Sequence, residues 1–223
     1  MNYDFGSIET SSRTGSSIYN LVGTGFTATS FNSPTYGIGG GGTIVFNGTN
    51  QYLTSNDPGI SLPLTISVWL YFNSLSGWQT FVSQDTTLSV PRAKFYFQRA
   101  NLNSAPDNII AGRVNFTLTK SDGNVWAVNS LANPVVNTWI NYTAVITSTQ
   151  LNLYQDGILQ DSLSGSFSLQ AGSGSVSYGA GYYSDIITDF CNLEFSRILI
   201  YNKALTASEV GQNFNAMRNR YGI

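Results

Sequence analysis

The sequence predicts an all-β protein, an antiparallel β-sandwich with one short C-terminal α-helix, and three observations carry that prediction. Segments rich in β-branched and aromatic residues recur along the chain, separated by clusters of Gly, Pro, Asn and Asp. A sustained helical period appears only in the closing stretch, which argues for a sandwich rather than alternating β/α units. Hydrophobic residues make up 42% of the 223 positions and aromatics 13%, enough for a substantial core, while 10% are charged. A typical charged fraction is about a quarter, so this surface must be covered by Ser, Thr, Asn and Gln. Sandwiches commonly reach this length as one unit, and residues 1–223 are read as a single domain.

Taken in order, Tyr3 to Phe5 can form a short strand that ties down the N-terminus. Gly6 to Gly42 is rich in Gly, Ser and Thr and broken by Pro34, yet Ile18, Tyr19, Leu21, Val22, Phe26, Phe31 and Tyr36 supply apolar anchors. It reads as extended, loop-dominated structure with short edge strands. Thr43 to Phe46 and Gln51 to Thr54 flank Asn47 and Gly48, and Asn-Gly tolerates the positive φ of a tight reversal, so a hairpin is expected there. LTISVWLYF sets Ile66, Val68, Leu70 and Phe72 against Thr65, Ser67, Trp69 and Tyr71, the best two-faced strand in the chain.

Trp78 to Val82, Ala93 to Arg99, Ile109 to Thr119 and Val125 to Asn129 continue the series. Trp139 to Ile146 and Leu151 to Gln155 form a hairpin, and Asp156 with Gly157 turns the chain again. Phe195 to Tyr201 is the final strand, with Ile198 and Ile200 on one side of the pleat and Phe195, Leu199 and Tyr201 on the other. Thr206 and Glu209 then form a capping box in which each side chain accepts a hydrogen bond from a free N–H of the first turn, so a helix starts near Ala207. Val210, Phe214, Met217 and Tyr221 fall on one face, Gln212, Asn213, Arg218 and Arg220 on the rest, and Gly222 is a stop signal.

The residue inventory excludes several chemistries. No histidine is present, which removes the commonest general base, the serine triad and the commonest transition-metal ligand together. Cys191 is the only cysteine, so there is no internal disulfide and no cysteine zinc cluster; it reads as a small apolar core residue. A formal charge of −2 with no basic run argues against nucleic acid or an anionic membrane as partner. No apolar stretch is long enough for a membrane span, and MNYDFGSIETSSRTG has neither a basic nor an apolar leader region, so no export signal is expected. The sequons at Asn47, Asn115 and Asn141 are read as chance occurrences in an Asn-, Ser- and Thr-rich chain. Gly39 to Gly42 lacks the lysine and following helix of a phosphate loop.

Three segments carry a family resemblance. IYNKALTASEVGQNFNAMRNRYG at the end, WINYTAVITSTQLNLYQDGILQ in the middle, and the opening YDFGSIETSSRTGSSIYNLVGTGFTATSFNSPTYGIGGGGTIVFNGTNQYL resemble the laminin-G-like jelly-roll modules of the concanavalin A-like lectin and glucanase superfamily. The likeness is to the phage- and virus-encoded type in particular. It spans nearly the whole chain, is weakest from about Asp85 to Ala132, and implies a jelly-roll sandwich. Where those modules carry acidic residues in "vFdGtnDYi", this chain has Asn47 and Gln51, which puts a cation site at those positions in doubt. Before IYN the family's aromatic-x-Gly becomes Cys191, Asn192 and Leu193. The E-x-D-x-x-E pattern of the superfamily's glucanases is absent. Only Glu9, Glu194 and Glu209 are present, Glu209 belongs to the cap, and the neighbours of Glu194 at alternate positions are Asn192 and Ser196. Without a facing carboxylate pair there is neither acid nor nucleophile, so no enzyme is expected.

Two clusters have the chemistry of sugar recognition, in which ring faces stack on C–H surfaces and amides or carboxylates bond hydroxyls. Tyr182 and Tyr183 beside Asp185 are the first, Trp78 beside Gln79 the second, and the plain alternative for each is packing. Asp185 and Asp189 in GYYSDIITD, read as a loop, are the candidate ligands of a calcium ion, Ca²⁺, against the alternative of two solvated loop aspartates. The resemblance implies a non-enzymatic virion protein, a capsid decoration or tail or fibre module at the virion surface. Its expected partners are other virion proteins, copies of itself on the particle, and host glycans. A cellular or secreted lectin, placed outside the cell, is the alternative, and a glycoside hydrolase the third reading.

Overall fold

A computed structural model describes residues 1–7, 16–21, 27–85, 93–104, 107–120, 124–171, 174–183 and 186–223. In chain order the described strands are β1 (Asn2–Asp4), β2 (Ser17–Ile18), β3 (Ala28–Phe31), β4 (Thr35–Gly37), β5 (Thr43–Val45), β6 (Tyr52–Ser55), β7 (Leu64–Phe72), β8 (Gln79–Gln84) and β9 (Phe95–Arg99). They continue with β10 (Val114–Thr119), β11 (Val125–Asn129), β12 (Trp139–Ile146), β13 (Gln150–Gln155), β14 (Ile158–Ser164), β15 (Val176–Tyr178), β16 (Gly181–Tyr183), β17 (Ile186–Thr188) and β18 (Leu193–Tyr201), and helix α1 spans Ala207–Met217. The first sheet runs β14-β13-β12-β7-β18-β5-β4, with β1 also paired to β18; the second runs β11-β10-β9-β8-β15-β6-β3-β2; β16 and β17 form a separate hairpin. All of these pairings are antiparallel. The chain is mostly β, a sandwich of two antiparallel sheets. None of its described helices is long and apolar enough to cross a membrane.

The alternation in β7 does what its pattern requires. Ile66, Val68, Leu70 and Phe72 enter the core between the sheets, where they meet Phe81, Phe95, Phe97 and Phe116 from the second sheet. Burying one such side chain is worth about 1.5–3 kcal/mol, so these rows hold the layers together. On the other face of β7, Trp69 lies under the C-terminal segment, its ring stacked on Tyr221 at 3.9 Å and on Phe214 at 5.7 Å. The capping box forms as the sequence predicts: Thr206 accepts from the Glu209 amide, Glu209 accepts from the Thr206 amide, and the helix begins at Ala207. Gly222, at φ 72, closes the 3₁₀ turn that follows the helix.

Several expectations change. The predicted hairpin across Asn47 and Gly48 does not form, because β5 pairs with β18 and β4 in the first sheet while β6 pairs with β3 and β15 in the second. The Asn-Gly turn is a crossing between layers. The Asn47 side-chain oxygen accepts from the amides of Thr49 and Asn50, and Gln51 Oε1 accepts from the Asn47 amide. In β18 a bulge between Phe195 and Arg197 moves Phe195 onto the core face with Ile198 and Ile200. Cys191 is buried, but it precedes the final strand, and its thiol donates to the Thr80 carbonyl at 3.0 Å. The strand expected from Ile109 starts at Val114, since Ile109 pairs back to Ser104 and residues 111–113 turn. Arg220 leaves the polar face of the helix to grip Asp4 through both terminal nitrogens at 2.8 Å. Glu9, Val22 and Phe26 lie outside the described residues.

Candidate functional site

The outer face of the second sheet is polar but not solvated. In β9 the inward turn of Phe95 and Phe97 sends Tyr96 and Gln98 outward, and in β10 the inward turn of Val114, Phe116 and Leu118 does the same for Asn115 and Thr117. All four outward side chains are buried, because loops and a hairpin fold over them. On one side residues 107 and 108 are pinned to β11. Asp107, 3% exposed, accepts from the Val125 amide at 3.0 Å and the Ser104 hydroxyl at 2.9 Å, and the Asn129 amide donates to the Asn108 carbonyl at 2.8 Å. On the other side the β16–β17 hairpin lies on the sheet. Tyr96 donates its hydroxyl to the Tyr182 carbonyl at 2.7 Å, and the Tyr182 amide donates to Ser83 at 3.3 Å. Gly181 permits this approach, since a Cβ there would sit 2.8 Å from the Thr80 hydroxyl.

Between these two walls is a cleft of about 370 Å³ lined by Trp78, Tyr96, Gln98, Ser104, Asp107, Ile109, Thr117, Val125, Thr188 and Asp189. That volume falls within the roughly 300–1,000 Å³ of small-molecule sites. One part is apolar, where Trp78 packs against Ala100, Ile109, Val125 and Ala127. The rest offers an amide, hydroxyls and carboxyls. Gln98 donates to Asn115 Oδ1 at 3.2 Å, while Asn115 Nδ2 is buried without a hydrogen-bond partner. Asp189 sits at φ 55 where the chain leaves β17, and burial pushes its carboxyl above the ordinary range.

The sequence candidates separate in this geometry. Trp78 and Asp189 meet in the cleft although 111 positions apart in the numbering. Gln79 is 0% exposed and its amide is committed: Nε2 donates to the Ser74 carbonyl at 2.8 Å and Oε1 accepts from the Asn192 amide at 3.0 Å. Tyr182 contributes its backbone to the cleft wall, while its half-buried ring hydroxyl bonds Ser175 and burial raises its pKa. Tyr183 lies in β16, and Asp185 lies outside the described residues. GYYSDIITD, expected to be a loop, is largely the β16–β17 hairpin. Asp189 is therefore a half-buried residue at a strand end and not a solvated loop aspartate. Among the described residues no three His, Cys, Asp or Glu side chains come together as a metal site.

Three other described carboxylates hold structural hydrogen bonds. Glu194 accepts from the Thr43 hydroxyl at 2.8 Å, Glu209 caps α1, and both oxygens of Asp107 hold its own loop. The sequence reading missed Tyr96, Gln98, Ser104, Asp107, Ile109, Thr117 and Thr188. Their signal was present only in part, as the polar half of the alternation in FYFQR and VNFTLT.

A family model described as the concanavalin A-like lectin/glucanases superfamily matches residues 47–211. No curated protein sequence matches the chain. Among solved structures it is similar to domain 4 of AbnA, a GH43 extracellular arabinanase from Geobacillus stearothermophilus, in complex with arabinotriose, at a TM-score of 0.71 and 16% identity over 95% of each chain. The binding domain of Paraclostridial Mosquitocidal Protein 1 superposes at 0.69 and 16% identity, over 92% of this chain and 52% of that one. A structure titled for the dependence of botulinum neurotoxin type C cell entry on two ganglioside molecules gives 0.66 and 12% identity, over 90% and 48%. The chain spans about half the length of the toxin domains it matches. At these identities the likeness is one of fold, and with the family model covering most of the chain, the protein belongs to the concanavalin A-like lectin/glucanases superfamily.

Proposed function

We propose that this chain is a non-enzymatic carbohydrate-binding module that holds a saccharide in the cleft over β9, β10 and β11. The observation that carries the reading is the composition of that one cleft: a half-buried tryptophan beside an amide, hydroxyls and a carboxyl, about 370 Å³ in all. A sugar presents a C–H face and a ring of hydroxyls, and these two kinds of surface match it. Structural neighbours bind arabinotriose, in the AbnA domain, and gangliosides, in botulinum neurotoxin type C, which supports saccharide binding as the chemistry of the scaffold. A binding role without turnover is supported by the carboxylates, because a glycosidase requires an acid and a second carboxylate facing one bond, and each oxygen of Asp107 already accepts a hydrogen bond that holds its own loop.

Titration of immobilised oligosaccharides with the purified chain tests this. The expected result is saturable binding with no release of reducing ends, weakened at least about tenfold by Trp78→Ala, the scale of losing about 1.4 kcal/mol of stacking and burial. Binding that survives Trp78→Ala unchanged, or clear hydrolysis, overturns the reading. The phage-type pattern of the opening and closing segments supports a further placement, as copies of a decoration or fibre module on a virion surface, with a cellular or secreted lectin as the other setting for the same site. Mass spectrometry of purified particles separates the two settings, and absence from the particle removes the first.

A further inference from the structure

The described lining of the cleft carries two carboxyl groups, Asp107 and Asp189, and no lysine or arginine. None of the described basic side chains beside β9 and β10 lines the cleft. Arg99 is buried with Nη1 on the Gly77 carbonyl at 2.9 Å and its Nε unpaired, and Arg113 donates Nη1 to the Ser130 carbonyl at 2.9 Å. Lys94 lies 3.9 Å from Asp57, and Lys120 sits 5.2 Å over the Trp126 ring. An anion entering this cleft would lose hydration without gaining a cation, and would approach like charge in a partly dehydrated space where such repulsion is strong. A neutral sugar meets the opposite situation. Its hydroxyls donate to carboxylate oxygens, which accept only, and to the free lone pairs of Ser104 and Thr117, whose own protons go to Asp107 and the Tyr96 carbonyl, while the second Nε2 proton of Gln98 remains to donate.

We infer that the cleft selects uncharged glycans and rejects glycans whose bound residue carries a carboxylate, such as a sialic or uronic acid. This rests on the carbohydrate-binding reading above and adds to it the charge class of the ligand. Among the described residues of the lining, Trp78, Ile109 and Val125 accept any sugar face, so discrimination falls to the two carboxyl groups.

Matched glycan pairs test it, each a neutral oligosaccharide and the same chain capped by a terminal sialic acid, titrated at neutral pH at low and high salt. The neutral member is expected to bind, and its capped partner at least about tenfold more weakly, a gap of about 1.4 kcal/mol. The gap should narrow in high salt, which screens the repulsion, and in Asp189→Asn, which removes one charge. Equal or tighter binding of the capped member overturns this inference and leaves the carbohydrate-binding reading standing. Failure of both members to bind overturns that reading and the inference with it. A gap unchanged in both high salt and Asp189→Asn overturns the electrostatic origin argued here.

Discussion

Trp78 and Gln79 are neighbours with opposite roles. Side chains alternate across a strand entry, so Trp78 turns to the outer cleft while Gln79 turns inward to join the 74–76 loop and Asn192. Gln79→Ala is expected to leave the buried backbone groups of Ser74 and Asn192 unpaired and to cost about 2–3 kcal/mol, read as a lowered melting temperature, with saccharide affinity intact below it. Asp189 gives a second residue-scale prediction. Burial raises its carboxyl pKa, so its contribution to stability is full below the unfolded value and is lost as pH rises through the folded one. Asp189→Asn, which tolerates the same positive φ, should therefore match the parent in acid and gain on it as pH rises through the folded value. Thermal unfolding across pH checks this, and a variant clearly weaker at neutral pH would mean that the carboxylate has partners that favour its charge. Two of the three sequons also resolve at this scale: Asn115 and Asn141 are buried, and Asn141 donates to Ser67 and to the Val68 carbonyl, so neither is presented for glycosylation.

Among the elements, the C-terminal helix was legible almost to the residue, because a capping box, a 3.6-residue apolar period and a stop glycine are all local signals. What docks it is not local. Trp69 stacks on Phe214 and on Tyr221 on the outer face of the first sheet. Two substitutions separate cap from dock: Thr206→Ala should cost about 1 kcal/mol and fray the first turn, whereas Trp69→Ala should cost about 3–5 kcal/mol and release the helix face. Equilibrium denaturation of the two variants checks the order. The element that misled was Thr43 to Thr54, where Asn47 and Gly48 carry hairpin chemistry. A turn dipeptide specifies that the chain reverses, but not whether the strands on either side share a sheet. Here β5 and β6 each pair with one nearby strand, β4 and β3, and with one more than a hundred residues away, β18 and β15, in opposite layers. The β16–β17 hairpin was missed for a related reason, since three-residue strands carry too little alternation to stand out.

Across the whole molecule, the two ends of the chain are joined. β1 pairs with β18, the Met1 amino group donates to the Ile200 carbonyl at 2.5 Å, and Arg220 bonds Asp4 while also reaching the Gly40 carbonyl. Burial by itself would raise the Asp4 carboxyl, but the hydrogen bonds and charge of Arg220 outweigh it and hold the group below the ordinary range. A depressed carboxyl contributes stability above its unfolded pKa and loses it as pH falls through the folded value. Stability should therefore drop on acidification below pH ~4. Arg220→Gln should weaken the fold by about 2 kcal/mol at neutral pH and flatten that acid slope, as read by denaturant titration at several pH values.

The sequence by itself determined the class of the fold, the two-faced strands, the terminal helix and the absence of histidine chemistry, because periodicity, capping and composition are properties of neighbouring residues. Only the tertiary structure decided the cleft. Alternation in FYFQR and VNFTLT says that Tyr96, Gln98 and Thr117 leave the core, but not that Ser104, residues 107–109 and the β16–β17 hairpin will fold over them. Trp78, Asp107 and Asp189 come from three separate stretches of chain and share one site through long-range pairing and burial, which no local pattern encodes.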